Sequence, residues 1–210
     1  MSASVGAAAG GEGRVPSPDF VVVTASTPTQ ASIYRELIRA RAEAGLYPPS
    51  VVFRVFCDPQ QGRVGSGGGT MLALHALLEL EGGKSANAPP LSGRAEAFFA
   101  SKRVLLLHAG GESRRLPCYV PEGKLFAPLS MPSPSDFAPV VLDVLLSLYF
   151  GYPWRRGEVV VASGDVRLQH DRPSPSSPAS ALSRTSLVAP SLTLGLASLL
   201  AARAAGDRPL

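Results

Sequence analysis

The sequence predicts an α/β fold with a parallel sheet. Short runs of valine, leucine and phenylalanine alternate with runs of helical periodicity, and glycine-rich turns separate them. Hydrophobic residues make up 45% of the 210-residue chain, enough for a real core. The sheet is expected to be incomplete and the two termini disordered.

Taken in order, Phe20 to Ala25 reads as a buried strand, because Val21, Val22, Val23 and Thr24 all favour strand. Ser26-Thr27-Pro28-Thr29 supplies hydroxyl caps and a proline suited to a first helical turn. A helix over 30–44 follows, with Ile33, Leu37 and Ile38 on one stripe, stopped by Gly45 and Pro48-Pro49. Val51 to Phe56 is a second strand, which completes a βαβ start. Gly62 to Thr70 reads as a glycine-rich turn leading into a helix over 71–81, with Leu72, His75 and Leu78 on its apolar side and Met71 in the core. The stretch 84–93 reads as a loop. Arg103 to His108 is a third strand, Asp136 to Phe150 a helix with Val140, Val144, Leu145 and Leu148 on one face, and Val159 to Ala162 a fourth strand.

Composition narrows the function classes. The net charge of +4 comes from scattered arginines, without the basic face and interleaved aromatics of a nucleic-acid reader. Lys102, Arg103, Arg114 and Arg115 form the one local basic cluster, with Glu112 inside it, and this suits a small anionic ligand. Cys57 and Cys118 are widely spaced and lack a CxxC partner, which argues against a disulfide scaffold or cysteine zinc site and for a reducing compartment. Residues 1–13 lack the charged and apolar regions of a secretory signal. Residues 185–202 are uncharged and leucine-rich, but Pro190, Gly195 and several serines weaken them as a membrane span. A soluble chain is expected. From Asp171 on there is no Lys, Glu or aromatic residue, and Ser, Pro, Ala and Leu dominate.

Two glycine-rich turns stand at the carboxyl ends of predicted parallel strands, where open α/β sheets bind ligands. In the first, Gly65, Gly67, Gly68, Gly69 and Thr70 lead into a helix whose amides and dipole attract a phosphate or base. It matches neither the Walker A pattern nor GxGxxG. In the second, Gly110-Gly111-Glu112-Ser113 precedes Arg114 and Arg115, and Gly123-Lys124 follows. Three cations around one glycine loop is what phosphoryl or nucleotidyl transfer requires, since charge develops on the α-phosphate and the departing pyrophosphate. Asp165, just past the fourth strand, is placed to hold Mg²⁺. His108 at a strand end reads as a structural residue rather than a ligand contact, and neither cysteine has a base beside it.

Val22-Val23-Thr24-Ala25-Ser26, Val64 to Thr70, His108 to Pro117, Gly123-Lys124 and Ala162 to Val166 occur in that order. Together they resemble the fucose pyrophosphorylase (fucose-1-phosphate guanylyltransferase) domain of bifunctional fucokinase/GDP-fucose pyrophosphorylases, over Asp19 to Val166. The resemblance implies a Rossmann-like nucleotidyltransferase sheet and a cytoplasmic reaction of fucose salvage. In it, GTP and L-fucose 1-phosphate give GDP-L-fucose and pyrophosphate with Mg²⁺ as cofactor, and neither nucleic acid nor membrane is a partner. By the same resemblance, Gly110, Gly111, Ser113, Arg114 and Arg115 grip the triphosphate and Lys124 stabilises charge at the transferring phosphate. Asp165 is the metal carboxylate, and Gly65, Gly67, Gly68, Gly69 and Thr70 contact nucleotide. No kinase signature occurs in these residues. The expected division is a disordered segment over 1–18, a partial domain over 19–166, and a low-complexity tail over 167–210, foreign to the core as intron read-through or a shifted frame would make it. An inactive nucleotide- or sugar-phosphate-binding fragment is the alternative expectation.

Overall fold

The computed structural model describes residues 16–59, 64–83, 91–109, 117–119, 121–133, 135–164 and 187–188. Four parallel strands form the sheet: β1 (Phe20–Ala25), β2 (Val52–Cys57), β3 (Val104–His108) and β4 (Glu158–Ser163). Their order is β2-β1-β3-β4, and β5 (Leu187–Val188) adds an antiparallel edge beside β4. β1 is buried at all six residues because it has a strand on each side and helices above and below, so its sequence is continuously apolar rather than alternating.

Helix α1 (Pro28–Glu43) starts where its sequence says it should. Thr27 is the N-cap, its Oγ1 accepting from Gln30 N at 3.1 Å, and Pro28 occupies the first turn. Gly45, at φ 78°, takes the left-handed conformation that ends it. Helices α1 and α4 (Val141–Phe150) cover one face of the sheet, where Val21, Val23, Leu105 and Leu107 pack with Tyr34, Ile38, Leu142 and Leu146. Helices α2 (Gly65–Glu81) and α3 (Leu91–Ser101) cover the other, where Phe20, Val22, Val104 and Leu106 pack with Leu74, Leu77, Leu78 and Phe99. The result is a three-layer α/β/α arrangement, within the predicted α/β class with a parallel sheet.

Several elements differ from the sequence reading. Helix α2 begins at Gly65, so the first glycine-rich turn is its opening turn rather than a separate loop. Its buried residues are Ala73, Leu74, Leu77 and Leu78, while Leu72 and His75 are half-buried and Met71 packs at the rim of the core. Helix α3 begins inside the stretch read as a loop; Pro90 just before it and Ala95, Phe98 and Phe99 within it are the signals that mark it. Helix α4 begins at Val141, later than Asp136, because Pro139 disfavours helical backbone at Ala138 and Val140 pairs instead with Pro128. The two-residue β5 is too short to leave a pattern.

Of the basic cluster, Lys102 and Arg103 stand just before β3, while Arg114 and Arg115 lie outside the described residues. Arg103 is already committed at the amino end: it donates through its backbone N and Nε to Asp19 Oδ2 and through Nη2 to Asp19 Oδ1, at 2.8, 3.0 and 2.8 Å.

Candidate functional site

β1 connects through α1 to β2 on one side, and the chain then crosses to β3 on the other side of β1. The carboxyl ends of β1 and β3 therefore flank a topological switch point, where crossover connections leave in opposite directions and open a crevice. Ser26 and Ala109 are the residues that leave those strands.

One wall is the first turn of α2. Gly65, Ser66 and Gly67 are exposed, and a Cβ on Gly65 or Gly67 would meet only open space. Val64 offers no side-chain cap and the first turn holds no acidic residue, so among the described residues no side chain caps these amides. Gly68 has Val64 Cβ 2.9 Å from where its own Cβ would stand. Gly69 and Thr70 are buried. The Thr70 hydroxyl is turned inward, 2.9 Å from the Ser66 carbonyl and 2.8 Å from His108 Nε2.

The opposite wall is built around Ala109. Gly123, at φ 65°, is pressed so closely on Tyr34 Oη that a Cβ there would collide with it. Tyr34 Oη in turn donates to the Ala109 carbonyl at 3.3 Å. Gln30 holds the same corner, its Oε1 accepting from Ser26 N at 2.8 Å. Lys124 is half-buried and opens a 3-10 turn, Lys124–Phe126, anchored by buried Leu125 and Phe126. Gly164, at the end of β4, donates its N–H to the His108 carbonyl at 2.8 Å. A Cβ on Gly164 would stand 3.1 Å from that oxygen, 3.2 Å from Leu125 Cδ1 and 3.4 Å from Ala109 Cα. The strand ends and the Gly123 turn thus close on one point.

Of the sequence-predicted site residues, the structure brings together Gly65, Gly67, Gly68, Gly69 and Thr70 in the opening turn of α2, and places Lys124 directly after Gly123, which abuts the tyrosine that donates to Ala109. Gly110, Gly111, Ser113, Arg114, Arg115 and Asp165 lie outside the described residues. Both flanks of the second glycine loop are placed, however: Ala109 at its start, and Gly123-Lys124 just beyond its end. Sequence reasoning missed Tyr34 and Gln30. Both sit in α1, four residues apart on the buried face, and that spacing is the one signal that could have drawn attention to them.

Burial sets the electrostatics. It pushes the Tyr34 hydroxyl up to about 12, so this group remains a donor to Ala109 at neutral pH. It also lowers His108 below the usual imidazole value, an effect that Asp58 at the end of β2 partly opposes. His108 is held between Thr70 and Thr24, whose Oγ1 lies 3.4 Å from Nδ1. Among the described residues, no group of three or more His, Cys, Asp or Glu side chains could hold a metal ion. Nor is any helix among them long and apolar enough to cross a membrane.

Residues 96–187 match the fucose pyrophosphorylase domain model, a stretch that runs past Val166, where the core was expected to end. A bifunctional fucokinase/GDP-fucose pyrophosphorylase of Arabidopsis thaliana is 34% identical over 144 residues, 64% of this chain and 14% of the relative. Fucose-1-phosphate guanylyltransferases of Mus musculus and Homo sapiens are each 30% identical over 152 residues, 71% of this chain, covering 23% and 22% of those relatives. The chain thus spans less than a quarter of the length of these relatives. No solved structure matches it. The resemblance carried by the sequence motifs is borne out over part of the chain: these residues are similar to the fucose pyrophosphorylase domain and to the fucose-1-phosphate guanylyltransferases that contain it.

Proposed function

We propose that the crevice between β1 and β3 is the nucleotidyl-transfer site of a Rossmann-like fucose-1-phosphate guanylyltransferase, acting in the cytoplasm on GTP and L-fucose 1-phosphate. The observation that carries the reading is the approach of Gly164 and the opening turn of α2 to His108 and Ala109, with Gly123 seated on the tyrosine that donates to the Ala109 carbonyl. In the reaction, a phosphate oxygen of the sugar phosphate attacks the α-phosphorus of GTP. The bond to the β-phosphate breaks, and pyrophosphate leaves. No covalent enzyme intermediate is needed.

This chain's residues bind and orient. The amides of Gly65, Ser66 and Gly67 in the first turn of α2 are suited to the base or phosphates, with the helix dipole and the N–H groups acting together. Gly110, Gly111, Ser113, Arg114 and Arg115 form the triphosphate-gripping loop between the two placed flanks. Lys124 supplies positive charge beside the transferring phosphate, on a backbone that Gly123 and Leu125 hold rigid. Asp165, directly after Gly164, is the carboxylate proposed to hold Mg²⁺. That ion would neutralise phosphate charge and promote departure of pyrophosphate.

Pyrophosphate release from GTP, L-fucose 1-phosphate and Mg²⁺, together with isothermal titration of GTP, tests the proposal. Turnover that falls about 10²–10³-fold in Lys124→Ala, with GTP affinity nearly kept, supports it. The alternative expected from the sequence is an inactive nucleotide- or sugar-phosphate-binding fragment. GTP binding without turnover, indifferent to Lys124→Ala, selects that reading instead.

A further inference from the structure

We infer that His108 is a positioning residue, held as the neutral Nε2–H tautomer, which sets the opening turn of α2 against the segment that follows β3. The polarity of the hydrogen bonds around it carries the inference. At one end of the chain of bonds, the Ala109 N–H donates to Thr24 Oγ1 at 3.3 Å, and an amide N–H can only donate. At the other end, Thr70 Oγ1 lies 2.9 Å from the Ser66 carbonyl, which can only accept. Thr70 has one proton, and Ser66 takes it. The 2.8 Å contact between Thr70 Oγ1 and His108 Nε2 then requires the proton to be on the imidazole. The remaining contact, 3.4 Å from Thr24 Oγ1 to Nδ1, takes the Thr24 proton and leaves Nδ1 as acceptor. Every member has one role, and the direction of all four bonds is set by the two backbone groups at the ends.

The chain spans the crevice floor. Ser66 belongs to the exposed turn proposed to contact nucleotide, and Ala109 precedes the loop proposed to grip the triphosphate, so the inference rests on that reading of the site. Gly69 packs beside the ring, 3.6 Å from His108 Cε1 to where its Cβ would stand, and Asp58 Oδ1 is 3.7 Å from the same point. Among the described residues, Asp58 is the charged group that faces the imidazole, with Thr24 from β1 and Thr70 from α2 on its two nitrogens. Protonation of Nδ1 would place two donors where the network has one, turning the Thr24 hydroxyl away and loosening Ala109.

Long-range ¹H–¹⁵N correlation spectra of the full ¹⁵N-labelled chain, recorded from pH 8 to pH 5 without nucleotide, test the assignment. Expected is a His108 ring with Nε2 protonated and Nδ1 bare at neutral pH. Ala109 amide exchange should accelerate by more than its intrinsic rate change as that ring titrates. In His108→Gln, which keeps a donor toward Thr70, the excess acceleration with pH disappears. In His108→Asn, which keeps an acceptor toward Thr24, the Ala109 amide stays protected at every pH. A ring protonated at Nδ1 at neutral pH, or an Ala109 pH profile identical in wild type and His108→Gln, overturns the inference. None of these readouts uses nucleotide, so failure of GTP to bind would count against the proposed function and leave this assignment standing. With GTP and Mg²⁺ added, affinity should fall more steeply from pH 7.5 to pH 5 in the wild type than in His108→Asn, where the nucleotide itself still titrates. An equal drop in both overturns the positioning role.

Discussion

Gly123 shows how a single backbone torsion can serve a site. Its φ of 65° belongs to the left-handed region, and its α-carbon lies against Tyr34 Oη. Gly123→Ala is therefore expected to cost about 1–3 kcal/mol, from strain and from displacement of the tyrosine together. Chemical denaturation checks the cost, and Gly123→Ala/Tyr34→Phe should recover part of it. The dipeptide Gly123-Lys124 was legible in the sequence because lysine after glycine near an arginine loop has a chemical meaning. Tyr34 was not legible, because a tyrosine on a helical stripe looks the same whether its hydroxyl faces water or a carbonyl. At the other end of the sheet, burial acts to raise the Asp19 carboxyl, but hydrogen bonds and charge from Arg103, aided by Lys102, hold it below its ordinary value. Such a group stabilises the fold above the ordinary carboxylate value, and that contribution is lost as pH falls through the depressed folded value. Urea unfolding between pH 6 and pH 3 should show this loss, and Asp19→Asn should show a shallower decline.

Elements are joined by a few polar contacts that the hydrophobic pattern does not reveal. Arg41, near the end of α1, is buried with its Nε 3.4 Å from Asp143 and its Nη2 donating to the Ala138 carbonyl at 3.3 Å. Its guanidinium also lies over the rings of Phe126 and Phe137, 5.8 and 5.3 Å from their centroids. Tyr47 donates to the same Asp143 at 2.6 Å, and Asp143 also accepts from Val140 N at 2.9 Å at the start of α4. Arg41→Ala should therefore cost about 3–5 kcal/mol, since Asp143 loses its buried partner. It should also loosen Phe126, two residues from Lys124. A thermal melt measures the first effect and turnover the second. Thr27→Ala should cost about 1 kcal/mol, from the loss of one cap bond. β1 and α1 were readable from Phe20 to Glu43 because strand propensity, cap and proline all agree. Helix α3 was not, because the glycine and proline around it outweigh its short apolar stripe. The early start of α2 was hidden because Gly65 to Gly69 disfavour helix, and packing of Leu74, Leu77 and Leu78 against the sheet overrides them.

At the scale of the molecule, the parallel order β2-β1-β3-β4 places the ends of β2 and β3, which bear the glycine-rich motifs, on either side of β1 at one end of the sheet. The order itself could not be read from the sequence, since nothing in β2 or β3 says that both flank β1. What the motifs did indicate is that these segments share one end of the sheet. A separate groove runs along the outer edge of β2, lined by Arg35, Ile38, Arg39, Val52, Arg54 and Leu80. Its two arginines from α1 are otherwise engaged, Arg35 with the Val55 carbonyl and Arg39 with Glu36 and Glu43. The central claim is that nucleotide enters the crevice at the strand ends rather than this groove. Hydrogen–deuterium exchange of the full chain, with and without GTP and Mg²⁺, addresses it most directly. Protection is expected to be confined to Gly65–Thr70, the segment from Ala109 through Lys124, and the chain around Gly164. Protection along Val52–Phe56 and Arg35–Arg39 with no change at Gly65–Thr70 or Lys124 would contradict it.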